Sequence, residues 1–328
     1  MSHASVLLTE ALAALKLADG ETYVDATFGG GGYSRAMLER AKCGVVAFDR
    51  DPDAVVRGAE LEAKFKNRFK IIAARFGELD AHLGEAVDGI VFDLGVSSFQ
   101  FDEAARGFSF QADADLDMRM EQSGASAADA VNQLSEEALA DALRGLGEEH
   151  QARRIAHAIA AARAAAPVTR TAQLAELVEK AVGGRKGARI HPATRTFQAL
   201  RMLVNDELGE VARGLSAAER ALKPGGRLVV VSFHSLEDRL VKKFMVERGD
   251  AQGHGSRHMP DRPPERAPSF VLETRRGVTP SEAECDTNPR ARSATLRAAI
   301  RADAPAWDEY EPTPLAPRAE AEWRRIAA

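Results

Sequence analysis

Short, mostly apolar runs alternate with helical stretches through the first hundred residues. Residues 22–26 predict a strand that runs into Gly29, Gly30, Gly31 and Gly32, and residues 34–41 predict a helix. Residues 44–49 predict a second strand, a helix begins near Asp53, and residues 69–73 and 87–93 predict a third and a fourth strand. Runs that are apolar almost throughout suit parallel strands covered on both faces. Their alternation with helices predicts a doubly wound α/β sheet.

The pattern changes near Ser126. Alanine and charge dominate as far as Val182, with helical spacing in Ile155/Ile159 and in Leu174/Leu177/Val178/Ala181. Thr171 is placed to cap the second of these helices and Gly183-Gly184 to stop it. No strand is predicted between about 110 and 205. The α/β pattern then resumes with a helix to Ala221, the turn Lys223-Pro224-Gly225-Gly226 and a strand over residues 227–233. Residues 253–268, rich in Pro, Gly, Arg and His, predict a loop before a last strand over residues 270–274. The expected organisation is one α/β domain made of residues 1–108 and 206–302, an all-helical insertion over 109–205, and a peripheral tail over 303–328.

Composition narrows the class. The 328 residues carry 44 basic and 49 acidic side chains, a formal charge of −5 that gives no support to bulk nucleic-acid binding and leaves only local patches. A hydrophobic share of 45% excludes a disordered or collagen-like chain, and two cysteines exclude a disulfide scaffold. Cys43 and Cys285 have no metal-type spacing, so no metal is expected. No apolar run approaches the roughly 18–20 residues that span a bilayer. The N-terminal stretch has no Lys or Arg before Lys16 and carries Glu10 within it, unlike a signal peptide. A cytoplasmic protein without a membrane partner is expected.

Four stretches carry candidate chemistry. In Asp25-Ala26-Thr27-Phe28-Gly29-Gly30-Gly31-Gly32-Tyr33-Ser34, consecutive glycines at a strand end let backbone approach a ligand closely. Asp49, twenty residues after Gly29 at the next strand end, stands where an acid accepts ribose hydroxyls. Ser34 occupies the third glycine position of a dinucleotide fingerprint, and Asp25 would repel a pyrophosphate. Both favour S-adenosylmethionine over NAD. Asp93-Leu94-Gly95-Val96-Ser97-Ser98-Phe99-Gln100 follows the fourth strand, where Asp93 and Ser97 can hold the hydrogens of an exocyclic amine. Arg185, Lys186, Arg189, Arg195 and Arg201, with His191 among them and no acid between Gly183 and Leu203, suit phosphate contacts. His234, in Val231-Ser232-Phe233-His234-Ser235-Leu236-Glu237-Asp238-Arg239, suits substrate orientation or proton acceptance, while Glu237 to Arg239 read as a helix start.

Together these stretches resemble the bacterial small-subunit ribosomal RNA cytosine-N4 methyltransferases, which act at cytosine 1402 of 16S rRNA. The likeness runs from His3-x-x-Val6-Leu7-Leu8-x-Glu10 to Asn288-Pro289-Arg290-x-Arg292-Ser293-Ala294. It passes through Arg106-Gly107-Phe108-Ser109-Phe110, Leu116-Asp117-Met118-Arg119-Met120, Gly147-Glu148-Glu149 and His191-Pro192-Ala193-Thr194-Arg195. Each motif is weak alone, and the ordered series is specific. The resemblance implies a class I (Rossmann-like) methyltransferase sheet with a helical insertion, S-adenosylmethionine as cofactor, and 16S rRNA of the small ribosomal subunit as partner. It places Gly31, Gly32, Tyr33, Asp49, Phe76, Asp93 and Gln100 at the donor, with Phe76 on the adenine. Asp93, Ser97 and His234 are the candidate catalytic residues, their roles unassigned. Phe99, Phe108 and Phe110 are candidates to stack on an extruded base. Tyr33 replaces a frequent His and Ser5 a usual Pro. An NAD-linked oxidoreductase and a non-catalytic ribosome-assembly factor are the alternatives, and monomer and homodimer both remain open.

Overall fold

The apolar runs form one seven-stranded sheet: β1 Thr22–Asp25, β2 Gly44–Asp49, β3 Phe69–Ala73, β4 Val87–Asp93, β5 Leu222–Ser232, β6 Phe270–Leu272 and β7 Thr295–Arg301. The structure is a computed structural model and describes residues 5–185, 187, 190–249, 266–273 and 276–328. The strand order is β3-β2-β1-β4-β5-β7-β6. β1 to β5 pair in parallel, and β7 runs antiparallel to both β5 and β6. This is the Rossmann-like sheet that the resemblance implies. Chain order reverses between β1 and β4, which opens a crevice at their carboxyl ends.

Successive side chains of a strand face opposite ways, so an apolar run covers both faces of the sheet. Ile90, Phe92, Leu228 and Val230 join Phe48 and Phe244 in one core layer. Val91, Val229 and Val231 join Tyr23, Tyr33 and Met37 in the other. The sheet and its helices make one unit, Met1–Gly95 with Leu208–Pro312.

Two strands differ from expectation. β5 starts at Leu222, and the glycine turn is an irregularity in its pairing with β4. β7 was not predicted, because arginines interrupt its apolar pattern. Arg297 pairs with Asp238, and the buried Arg301 guanidinium donates to the carbonyls of Glu219, Ser269, Ala302 and Ala304. Thr274, the expected end of β6, and most of the loop expected over 253–268 lie outside the described residues.

The second unit is Val96–Glu207 with Thr313–Ala328. It is helical, as the middle of the sequence predicts, with helices that include Glu136–Gly145, Ala152–Ala165, Thr171–Val182 and Ala193–Val204. Their apolar stripes (Leu139/Ala142/Leu143, Ile155/Ala156/Ile159, Leu174/Val178) are buried. Thr171 is not the cap. It is the first helical residue, and its hydroxyl accepts from the Ala114 N–H. Gly183 does end that helix, in the left-handed region at φ 85°. The expected peripheral tail also needs correction: helix Pro317–Ala327 packs on Glu136–Gly145, buries Trp323 to 6% exposure, and joins it through Glu322 to Ser135. No helix of the described residues is long and apolar enough to cross a membrane.

Candidate active site

β1 delivers Asp25 to the start of the glycine turn. The residue is 1% exposed. Its Oδ2 accepts from Ser34 Oγ (2.6 Å) and Ser34 N (3.1 Å), and its Oδ1 accepts from Thr27 N (3.3 Å). The carboxylate therefore ties the strand end to helix Gly32–Arg40, and its charge reaches the site as a field rather than through a bond. Burial lifts its pKa to about 6, the Ser34 and Thr27 bonds pulling the other way. Ser34, which the sequence offers only as a missing glycine, is the residue that holds Asp25.

Gly31 caps that helix at φ 73° and brings no side chain of its own to the first-turn N–H groups, of which Ser34 N is taken by Asp25. A Cβ there would stand 2.7 Å from the Phe28 ring, so only glycine leaves the helix start open to a ligand. Gly32 is confined from the other side, where a Cβ would meet Ser5 Oγ. Tyr33 is 2% exposed and donates its hydroxyl to the Val6 carbonyl. Its side chain faces the N-terminal segment, so only its backbone is left for a ligand, and burial raises its pKa well above that of a free phenol.

Asp49 braces the turn from β2. Its Oδ2 accepts from Gly29 N (2.8 Å) and its Oδ1 from Asp51 N (2.9 Å). The spacing of twenty residues is thus a bond between one strand end and the loop of the other. Burial raises the Asp49 pKa, and these two bonds oppose the rise. Phe76, just beyond β3, is half-buried, with its ring edge-to-face on Phe92 at 5.4 Å. A Cβ on Gly214 would stand 2.5 Å from that ring.

Asp93 ends β4 beside β1 and β5. Its N–H donates to Thr27 Oγ1 (2.7 Å), while its Oδ1 is buried with no hydrogen-bonding partner among the described residues. A buried carboxyl oxygen left unbonded is costly unless something else occupies it. Burial, then Asp25, then Glu237 raise the Asp93 pKa well above the usual carboxylate range. Ser97 and Gln100 are in the helical unit and form a capping box. Ser97 Oγ accepts from Gln100 N, and Gln100 Oε1 accepts from Ser97 N. His234 caps helix Ser235–Arg248 with Nδ1, and its Nε2 lies 3.0 Å from Glu237 Oε1. Of the three catalytic candidates, Asp93 presents a buried carboxyl oxygen with no partner, and His234 Nε2 is likewise buried without a hydrogen bond among the described residues.

The basic stretch is less free than its sequence suggests, because acids reach it from neighbouring turns. Arg201 makes a bidentate pair with Glu207 (2.8 and 2.9 Å), with side chains only 12% and 7% exposed. Its assignment to phosphate is corrected on that ground. Glu179 lies 3.3 Å from Arg185 and 3.2 Å from His191. Arg185 and Arg195 are exposed, and Lys186 and Arg189 lie outside the described residues. Among the phenylalanines, Phe108 is core and Phe110 packs on His191 and Phe197, which leaves Phe99 exposed at 40%.

Comparison with known proteins bears on this arrangement. A chain of Hyphomonas neptunium named ribosomal RNA small subunit methyltransferase H is 59% identical over 308 residues, 93% of this chain and 90% of that one. The protein of the same name from Caulobacter vibrioides is 56% identical over 307 residues, 93% of this chain and 97% of that one. An rRNA methylase structure from Streptococcus thermophilus aligns at a TM-score of 0.42 with 12% identity, covering 92% of this chain and 99% of that one. The model of the MraW methylase family matches residues 1–302, from the N-terminal segment over the glycine turn through the last strand. The chain belongs to the MraW methylase family.

Proposed function

We propose that this methylase transfers a methyl group to the exocyclic N4 of a cytosine in 16S rRNA, cytosine 1402 by resemblance. S-adenosylmethionine supplies the methyl group as an electrophilic sulfonium substituent. The relatives' names, at more than half identity over nearly their whole length, support the RNA class. The buried, unbonded Oδ1 of Asp93 carries the chemistry. It can take a hydrogen of the amine and hold the nitrogen lone pair toward the methyl carbon.

Gly31, Gly32 and the backbone of Tyr33 line the donor at the open helix start. Asp49 keeps a second lone pair on each oxygen for ribose hydroxyls and Phe76 would meet the adenine, while Gln100 stands in the donor set by resemblance alone. Ser97 and His234 position their loops, in keeping with their capping bonds. Arg185, Arg195, Lys186 and Arg189 meet phosphate, and Phe99 stacks on the extruded base. A net charge of −5 makes recognition depend on this local set and on substrate shape, which favours the assembled small subunit over free RNA.

The test incubates the protein with labelled S-adenosylmethionine and small subunits from cells that lack it, then identifies the labelled nucleoside by mass. Labelled N4-methylcytosine is expected. Label in another nucleoside, or none in RNA, overturns the proposal.

A further inference from the structure

Three carboxyl groups meet the carboxyl ends of neighbouring strands in the sheet unit. Asp25 ends β1, Asp93 ends β4, and Glu237 is folded back on the end of β5, where its Oε2 accepts from Phe233 N at 3.1 Å. Glu237 is fully buried, and the reaction as described leaves it unused. Asp25 and Glu237 are the acidic groups that act on Asp93, and Tyr33 on the adjoining helix is a buried phenol that remains neutral. His234 shares the helix of Glu237 and lies against its other oxygen. No donor among the described residues reaches Asp93 Oδ1, so this carboxyl stands between two acid-bearing strand ends with one oxygen unbonded.

Resting on the donor reading above, we infer that Asp93 is a proton acceptor switched by the charge beside it. Its carboxyl gives up a proton in the presence of a sulfonium cation and takes one from the methylated amine once that positive charge has gone. The balance closes. The amine nitrogen forms the new bond to carbon, the carbon–sulfur electron pair stays on sulfur, and the surplus proton on nitrogen passes to Asp93 Oδ1. The physical ground is reciprocal: a nearby cation favours the carboxylate, and its loss restores the proton affinity that burial and the two acids impose. Glu237 is then a positioning residue, setting how strongly Asp93 takes the proton back.

Calorimetric titration of the full chain at pH 7, in buffers of different ionisation enthalpy, counts the protons exchanged on binding. S-adenosylmethionine should release protons on binding, and S-adenosylhomocysteine markedly fewer. Affinity for the sulfonium ligand should rise with pH, by at most about tenfold per unit, with the thioether ligand flatter. Asp93→Asn should abolish the difference between the ligands. Glu237→Gln should shrink it, because Asp93 is then partly ionised beforehand, and Glu237→Asp should restore it. Equal proton release with both ligands, or an unchanged difference in Asp93→Asn, overturns the inference alone. If Asp93→Asn fails to fold, the Glu237 pair decides, and an unchanged difference in Glu237→Gln overturns it. Binding of neither ligand by the unaltered protein overturns the donor reading and this inference with it.

Discussion

Asp25→Asn tests the electrostatics of the glycine turn through stability alone. The carboxyl has a pKa of about 6 in the fold against 3.8 for the free group. The difference is 6 − 3.8 = 2.2 pH units. At 1.36 kcal/mol per unit, it costs the folded state about 3 kcal/mol once both forms are ionised, above about pH 7. The sign follows from proton counts: between the two values the native state holds more protons than the unfolded one, so stability falls as pH rises. At pH 4.5 only about 1 kcal/mol of the cost is present, so about 2 kcal/mol accrues between pH 4.5 and 8. An asparagine has no such ionisation. It can keep both Ser34 bonds through its oxygen, and it sets its amide against Thr27 N at a pH-independent cost of about 1–3 kcal/mol. Denaturant unfolding at pH 4.5 and 8 should therefore show the variant gaining about 2 kcal/mol on the parent over that interval. Parallel stability profiles would refute the reasoning, because Asp25 would then ionise in the fold as it does in the unfolded chain.

Four further outcomes follow from single contacts. Gly31→Ala forces a side chain to φ 73° against the Phe28 ring and should lower stability by about 1–2 kcal/mol and weaken donor binding, read by denaturation and calorimetry. Tyr33→Phe removes only the bond to Val6 and should cost about 1 kcal/mol with donor affinity unchanged; a large affinity loss would show that the hydroxyl serves the ligand. Arg201→Ala leaves Glu207 charged and buried and should destabilise by about 3–5 kcal/mol, where a phosphate-binding residue would show normal stability and weaker RNA affinity. Trp323→Ala should cost about 3–5 kcal/mol of helical-unit stability in a urea titration, and a neutral result would restore the view of the end of residues 303–328 as a tail.

The sheet was legible where both faces of a strand are apolar, and it was not where a strand carries polar groups that the fold satisfies out of sequence range. β4 shows the first case. β7 shows the second, since Arg301 looks like a surface residue until four carbonyls converge on it. In the site, Asp49 and the glycines stood out by spacing, because that spacing is itself a hydrogen bond between strand ends. Ser34 and Thr27 did not, as a hydroxyl nine residues from its acid, or one that accepts from a strand end 66 residues on, carries no period. The basic stretch misled in the opposite direction. Counting charges between Gly183 and Leu203 misses Glu179 and Glu207, which lie just outside that window and neutralise part of it.

The division of the chain has a consequence for biosynthesis. β4 must wait for a neighbour encoded about 130 residues later, and the helical unit receives its last helix only after the sheet unit has received its last strand. During synthesis the sheet unit is therefore incomplete until residues 295–312 have been made and the helical unit until residues 317–327 have, and contacts between residues this far apart in sequence form slowly. A chain stopped short of Trp323 can complete its sheet and still present the apolar face of Glu136–Gly145 to water. The apolar face of Glu136–Gly145 is thus covered only once residues 317–327 have been made, long after the rest of the helical unit.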